Sequence, residues 1–166
     1  MEPNSRGAQG QVLPLFALFL IVLMGFAALA IDVSSVLSAR RYYRSVADGA
    51  SLAGAQDMQV PGSRTITGTE RTYARQHAME AVVAQLGIPG GFAGLPANCR
   101  NTAADITDAC VLTGTNYHVS VKADPTGIAC QNCDPSRSVQ VGLRNAAYPL
   151  TFARVLGQSN WNVGIT

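Results

Sequence analysis

The sequence of 166 residues predicts an α+β fold with one long N-terminal helix, a second helix and a small antiparallel sheet. Three observations support this prediction. Residues 12–31 form an uncharged apolar run, and a helical pattern of apolar residues continues from this run to about residue 58. From about residue 110 the pattern changes to an alternation of period two. A chain of this length accommodates one domain with an attached segment.

The apolar run of residues 12–31 is long enough to span a bilayer. A helix that rises about 1.5 Å per residue needs about 20 residues to cross a hydrocarbon core of about 30 Å. Residues 1–11 would then be a short cytoplasmic tail, and residues 32–60 would be the exported half of the same helix. Pro61-Gly62 is expected to end this helix.

A cleaved secretory signal over residues 1–30 is the alternative interpretation. Arg6 would supply its charged region, and Ala28-Leu29-Ala30 would be its cleavage site. Signal peptides carry an apolar core of about 7 to 15 residues, which is shorter than this run. The helical pattern also continues past the cleavage site, so the retained anchor is favoured.

Small residues line one face of the helix beyond the membrane. Ala47, Ala50, Ala53 and Gly54 recur at three- and four-residue intervals. Glycine in a helix interior costs about 1 kcal/mol relative to alanine, so its presence here needs a reason. Two reasons stay open: packing on the chain's own sheet, or docking of a neighbouring subunit's helix, which small residues allow to approach closely.

Basic and aromatic side chains are interleaved on the same helix at Arg40, Arg41, Tyr42, Tyr43 and Arg44. On a helix just outside a membrane this composition is typical of an interfacial anchor in contact with lipid phosphates. It is less typical of a nucleic-acid platform. The arginines alone would favour a cytoplasmic side, but they begin nine residues past the run, and the cysteines downstream favour export.

Residues 61–166 are expected to form the exported α+β domain. Its helix is predicted over residues 70–86, because Thr67 and Glu70 have the spacing of a capping box and Gly87 follows the apolar stripe. A short helix is expected from Pro149 to Leu156, before Gly157. Alternating apolar residues predict four strands, at 110–113, 116–123, 137–144 and 161–165.

The four cysteines are Cys99, Cys110, Cys130 and Cys133. An even number, in a segment rich in Gly, Pro, Asn and Asp, predicts disulfides in an oxidising compartment. Local pairing would join Cys99 to Cys110 and Cys130 to Cys133, and the crossed pairings stay open. Redox catalysis is disfavoured because Asp134-Pro135 follows the last cysteine, and the spacings match no common zinc site.

Other residues indicate neither an active site nor a cofactor. His77 lies in the apolar stripe of the second helix and His118 on the polar face of a strand, so core packing and solvent exposure are expected. Asp105 and Asp108 come closest to a pair of catalytic carboxylates, but no further residues can be identified that would complete a paired-carboxylate site. No phosphate loop, nucleophile elbow or metalloprotease motif is present. We therefore expect a protein that is not an enzyme, with no cofactor, metal or small-molecule substrate.

The charge of the chain limits its partners. Asp, Glu, Lys and Arg make up 13% of the residues, against about 25% in an ordinary soluble domain, and the net charge is only +2. Such a chain is not a strongly basic nucleic-acid binder. Low charge suits a subunit whose surface is largely covered by neighbours.

The N-terminal third resembles the Tad/Flp pilus-assembly TadE/TadG-like family. The matching features lie on both sides of the apolar run: Arg6-Gly7, Gly10-Gln11, Ala30-Ile31-Asp32-Val33, Ala39-Arg40-Arg41 and the run from Val46 to Ala55. The segment from Phe152 to Gly157 is also similar to the one that closes the domain in relatives. No glutamate lies in the apolar run, so prepilin-type processing is disfavoured.

The resemblance implies a pilin-like fold and a role in a type IV-related adhesive pilus. The chain would be anchored in the bacterial inner membrane with its C-terminal domain exported. Its partners would be the membrane and other pilus subunits or copies of itself, and it would act through lateral packing of the small-residue face. The alternative is a secreted, disulfide-stapled binding domain from which residues 1–30 have been removed.

Overall fold

A computed structural model describes residues 12–59, 65–126, 128 and 133–165. The predicted tail of residues 1–11, the predicted helix end at Pro61-Gly62 and Cys130 lie outside these ranges. Helix α1 spans Val12–Ala55, and the 3-10 turn Gln56–Met58 extends it. Its 44 residues correspond to about 66 Å at the usual rise. Within the described residues, the helix from Val12 to Met58 is the one that is long and apolar enough to cross a membrane, with a mean hydropathy of 2.7 over its most apolar window.

Helix α2 spans Gly68–Leu86, which confirms the predicted second helix. The capping box is present: the backbone N–H of Thr67 donates to Glu70 Oε2 at 2.6 Å, and the backbone N–H of Glu70 donates to Thr67 Oγ1. Gly87 ends the helix in the left-handed conformation, with φ of 64°. A short helix α3, Ala97–Arg100, follows.

The sheet is an antiparallel meander of four strands in the order β1-β2-β3-β4. The strands are β1 Ile106–Val111, β2 Tyr117–Lys122, β3 Gln140–Pro149 and β4 Asn160–Ile165. The α+β prediction is confirmed. The first strand begins four residues earlier than predicted. The third continues to Pro149, and only the 3-10 turn Ala153–Leu156 remains of the predicted short helix.

One face of the sheet packs on both helices. Val119 lies opposite Leu143 and Val121 opposite Val141 in the β2–β3 pairing, and all four side chains are buried. The outer half of α1 and the inward face of α2 complete this core through Tyr43, Val46, Ala47, Ala50, Ala78, Met79, Val82 and Val83. The C-terminal half of α1 is therefore the central helix of the domain, whereas its N-terminal half projects away from the domain.

Candidate functional site

The projecting half of α1 exposes a continuous apolar surface. Every large apolar side chain from Val12 to Ile31 is between 44% and 77% exposed. An apolar patch on a soluble monomer rarely exceeds a few hundred Å², so a surface of this extent requires a lipid or protein environment. This segment is the part of the structure best suited to contact a membrane.

Asp32 lies immediately beyond the apolar segment and connects α1 to the end of the sheet. Its carboxylate is buried and accepts the backbone N–H groups of Thr151 at 3.0 Å, Phe152 at 3.0 Å and Ala153 at 2.5 Å. Burial on its own would raise the pKa of Asp32, but the three N–H donors outweigh it and lower the pKa below its ordinary value. Asp32 thus fixes the segment after β3 against the membrane end of the domain.

The 3-10 turn Ala153–Leu156 lies alongside α1 below this contact. A groove of about 520 Å³ separates the turn from the helix. Its walls are apolar: on one side Phe152, Ala153, Val155 and Leu156, on the other Met24, Gly25, Ala27, Ala28, Leu29 and Ile31. The sequence pattern identifies this turn only as a closing segment and does not indicate that it lies beside α1.

The small-residue face is used inside the chain. Ala47 and Ala50 are 2% and 0% exposed, Gly54 is buried, and Ala53 is partly buried. A Cβ atom at Gly54 would lie 2.6 Å from the carbonyl oxygen of Ala74 in α2. The expectation that this face docks a neighbouring subunit's helix is therefore corrected, because Ala47, Ala50 and Gly54 are buried in the core of the chain itself. The packing is intramolecular, as the other alternative held, and at Gly54 the nearest neighbour is α2.

The basic and aromatic cluster divides into buried and exposed members. Tyr43 is only 2% exposed, its hydroxyl accepts a hydrogen bond from Asn145 Nδ2 at 3.2 Å, and burial raises its pKa to about 12. The expectation of a membrane-interface role for Tyr43 is therefore wrong. The Tyr42 hydroxyl donates to the carbonyl of Gln85 at 2.9 Å, so this half-exposed ring is attached to α2.

Arg40, Arg41 and Arg44 are exposed, and an interfacial role for them stays a prediction. They lie nine to thirteen residues past Ile31, or about 14 to 20 Å along the helix, whereas a headgroup layer is about 5 to 8 Å thick. They line a groove of about 1100 Å³ over the sheet, together with Lys122, Arg144, Asp48, Asp105 and Asp108. The groove thus holds five basic and three acidic side chains, and two of them, Arg144 and Asp108, are paired with each other.

A disulfide joins Cys99 to Cys110, as the local pairing predicted. Both residues are buried, and the bond ties α3 to β1. Cys133 is also disulfide-bonded, and the predicted pairing with Cys130 lies outside the described residues. Since Cys99 and Cys110 are both consumed in this bond, neither provides a thiolate for catalysis.

The histidine and aspartate positions serve structural contacts. His77 is half-exposed, with Nδ1 2.6 Å from Asp57 Oδ2, so the expectation that it packs in the core is wrong. His118 is partly buried and contacts the carbonyl of Asp108. Asp105 accepts Arg75 Nε at 2.8 Å, and Asp108 pairs with Arg144. The ranges described hold no group of three or more His, Cys, Asp or Glu residues that could bind a metal ion.

The comparison with known proteins bears on the N-terminal part of the chain. The Tad family model, described as Flp pilus-assembly TadE/G-like, matches residues 10–57. The matched residues include α1 from Val12 to Ala55 and Asp32 within it. No curated protein and no solved structure matches the chain. The family resemblance inferred from the sequence is confirmed over this segment.

Proposed function

We propose that this chain, whose residues 10–57 belong to the TadE/G-like family, is a non-enzymatic, membrane-anchored subunit or assembly component of a Tad adhesive pilus. Residues 12–31 would span the bacterial inner membrane, with residues 1–11 as a short cytoplasmic tail. Residues 32–60 would continue the helix outside the cytoplasm, and residues 61–166 would form the exported domain. The family match supports the pilus context, and the remaining assignments are part of the proposal.

One observation carries this proposal. A single helix, α1, has one half that is apolar and exposed on all sides and another half that is the core of a folded domain. The first half requires lipid or protein around it, and the second half holds the domain rigidly to it. This architecture suits a subunit that is stored in a membrane and then associates laterally.

Lateral packing is assigned to the membrane half of α1 rather than to Ala47, Ala50 and Gly54, which are buried in the core of the domain. Large side chains such as Phe16 and Phe19, 60% and 54% exposed, are available there to lipid or to a neighbouring helix. Export is supported by the Cys99–Cys110 disulfide, because such bonds persist in oxidising compartments. Proposed partners are other pilus subunits or further copies of this chain.

A secreted binding domain is less well supported. Cleavage after Ala30 would remove all but Ile31 of the helix wall that faces the 3-10 turn Ala153–Leu156. Phe152, Val155 and Leu156 would then lose the apolar residues that face them across the groove. Retaining the helix keeps this apolar surface continuous.

Photo-cross-linking in cells that assemble the pilus tests lateral packing. A photoreactive phenylalanine analogue at Phe19 should cross-link the chain to a second copy or to another pilus subunit. The same analogue at Tyr73, an exposed position on α2, is the control for random collisions and should give far less product. If position 19 gives lipid adducts alone in piliated cells, lateral packing through this half is refuted, although membrane anchoring is not.

A further inference from the structure

The 3-10 turn Ala153–Leu156 and the preceding Phe152, together called the apolar turn, expose large side chains without a partner in the described chain. Val155 is 87% exposed, Leu156 75% and Phe152 41%. Isolated apolar residues on a surface are normal, but these three lie within five residues and form, with Ala153, one apolar wall of the groove beside α1, which the exposed Arg154 does not line. The apolar turn therefore extends the surface that α1 offers to a membrane.

The depth of the apolar turn in the membrane follows from the α1 residues that face it across the groove. The α1 wall of the groove reaches down to Met24 and Gly25, six to seven residues before Ile31, which is about 9 to 10 Å along the helix. If the bilayer began below Met24, the apolar segment would keep only residues 12–24, or about 20 Å, against a hydrocarbon core of about 30 Å. A full span therefore places the turn at the depth of the outer hydrocarbon layer.

The backbone of the turn is suited to this environment. Irregular backbone at membrane depth is tolerated only where its polar groups have partners. Asp32 accepts three consecutive N–H groups of this segment, those of residues 151–153. Four further N–H groups donate to carbonyls: Leu150 to Ser159, Val155 to Phe152, Gly157 to Arg154 and Gln158 to Ala153. The donors nearest the apolar side chains are thus largely satisfied without water.

We propose that the apolar turn inserts into the outer hydrocarbon layer beside α1 and that lipid acyl chains fill the groove between them. The inference rests on the proposed membrane anchoring of α1. Insertion of about 5 to 10 Å is typical of apolar elements that lie in a membrane interface. A second point of insertion holds the β3–β4 end of the sheet against the bilayer and restricts tilting of the exported domain about α1.

Fluorescence quenching in reconstituted vesicles tests this insertion. Trp161 is the only tryptophan of the chain, so Trp161→Phe gives a background without tryptophan emission. In this background Leu156→Trp reports on the turn, and Leu52→Trp is a matched control on the exported half of α1. Both leucines are exposed, at 75% and 65%. The full-length variants are placed in phosphatidylcholine vesicles with a spin label on the upper part of the acyl chain.

We expect the Leu156→Trp emission to be blue-shifted and quenched several-fold more strongly by the labelled lipid than the Leu52→Trp emission. Equal, weak quenching of both variants, with the protein in the vesicle pellet, would overturn the inserted turn and leave the anchor standing. Emission from Leu156→Trp that is blue-shifted but not quenched would also overturn it, since another protein segment would then fill the groove. Protein that stays out of the vesicle pellet would contradict the anchor itself.

Discussion

Gly54 allows the closest approach between α1 and α2. A Cβ atom added there would lie 2.6 Å from the carbonyl oxygen of Ala74, 3.0 Å from Ala78 Cβ and 3.3 Å from Val139 Cγ1. Ordinary contacts begin at 3.4 Å, so α2 would have to move by about 0.8 Å. Overpacking costs about 1 to 3 kcal/mol, and alanine recovers about 1 kcal/mol of helix propensity. The net cost is then about 0 to 2 kcal/mol. Because the closest atom belongs to a backbone that cannot rotate away, we expect the upper half of this range, so that Gly54→Ala destabilises the domain by about 1 to 2 kcal/mol.

Gly49 in the same helix provides the matched control. Its added Cβ would meet only the side-chain amide of Gln85 at 3.0 Å, which can rotate away. Gly49→Ala should therefore be neutral or stabilise the domain by up to about 1 kcal/mol. Thermal unfolding of the full chain in detergent micelles, followed by near-ultraviolet circular dichroism, measures both variants. At about 4 °C per kcal/mol, the two midpoints should differ by about 4 to 12 °C.

A Gly54→Ala variant as stable as Gly49→Ala would refute the packing of α2 on the small-residue face. The face would then be free, and docking of a neighbouring subunit there would again be open. A variant destabilised in the expected range while Gly49→Ala is unaffected would support the intramolecular packing.

Three further changes test other contacts. Replacing both Cys99 and Cys110 with alanine should lower stability by about 2 to 4 kcal/mol, because the bond closes a loop between residues 11 apart; an unchanged melting temperature would contradict this. The lowered pKa of Asp32 means that its contribution is present above about pH 4, the pKa range of an unfolded aspartate, and is lost as the pH falls through its folded pKa. Asp32→Asn should therefore melt lower at pH 7 but lose less stability than the native chain between pH 5 and pH 3; parallel pH profiles would argue against the contact. Tyr43→Phe should cost about 0.5 to 1.5 kcal/mol through the lost hydrogen bond from Asn145, whereas an equally stable variant would show that this bond is not formed.

Local patterns made much of the fold predictable. The capping box at Thr67 and Glu70 and the C-terminal Gly87 located α2 because the residues that satisfy helix ends lie within a few positions of each other. Alternation located β2 and β4 within one residue at each end because the pleat places alternate side chains on one buried face. Such signals depend only on neighbouring residues, so they can be read from the sequence without knowledge of tertiary contacts.

The contacts that position the membrane end of the domain were not predictable in this way. Asp32 receives its three N–H donors from residues about 120 positions later, and nothing near it in the sequence indicates them. An acidic residue directly after an uncharged run was the available signal. Tyr43 could have been assigned to the core, because it shares the helical stripe of Val46 and Ala47. The arginines on both sides of Tyr43 are instead typical of a membrane interface, and this local composition gave the wrong prediction.

The choice between two uses of the small-residue face also required the tertiary structure. Alanine and glycine at helical spacing indicate that another backbone comes close, but the pattern is identical whether that backbone belongs to the same chain or to a neighbour. The position of α2 beside Gly54 decides between the two uses, and no local pattern in the sequence predicts that position.

Separation of membranes, sheared filaments and soluble proteins, with the mass of the chain determined in each fraction, tests membrane anchoring within a pilus system most directly. We expect the chain in membranes or filaments, at a mass that retains residues 12–31. A chain recovered in the soluble fraction, beginning at Ile31, would contradict the retained anchor and the lateral packing built on it.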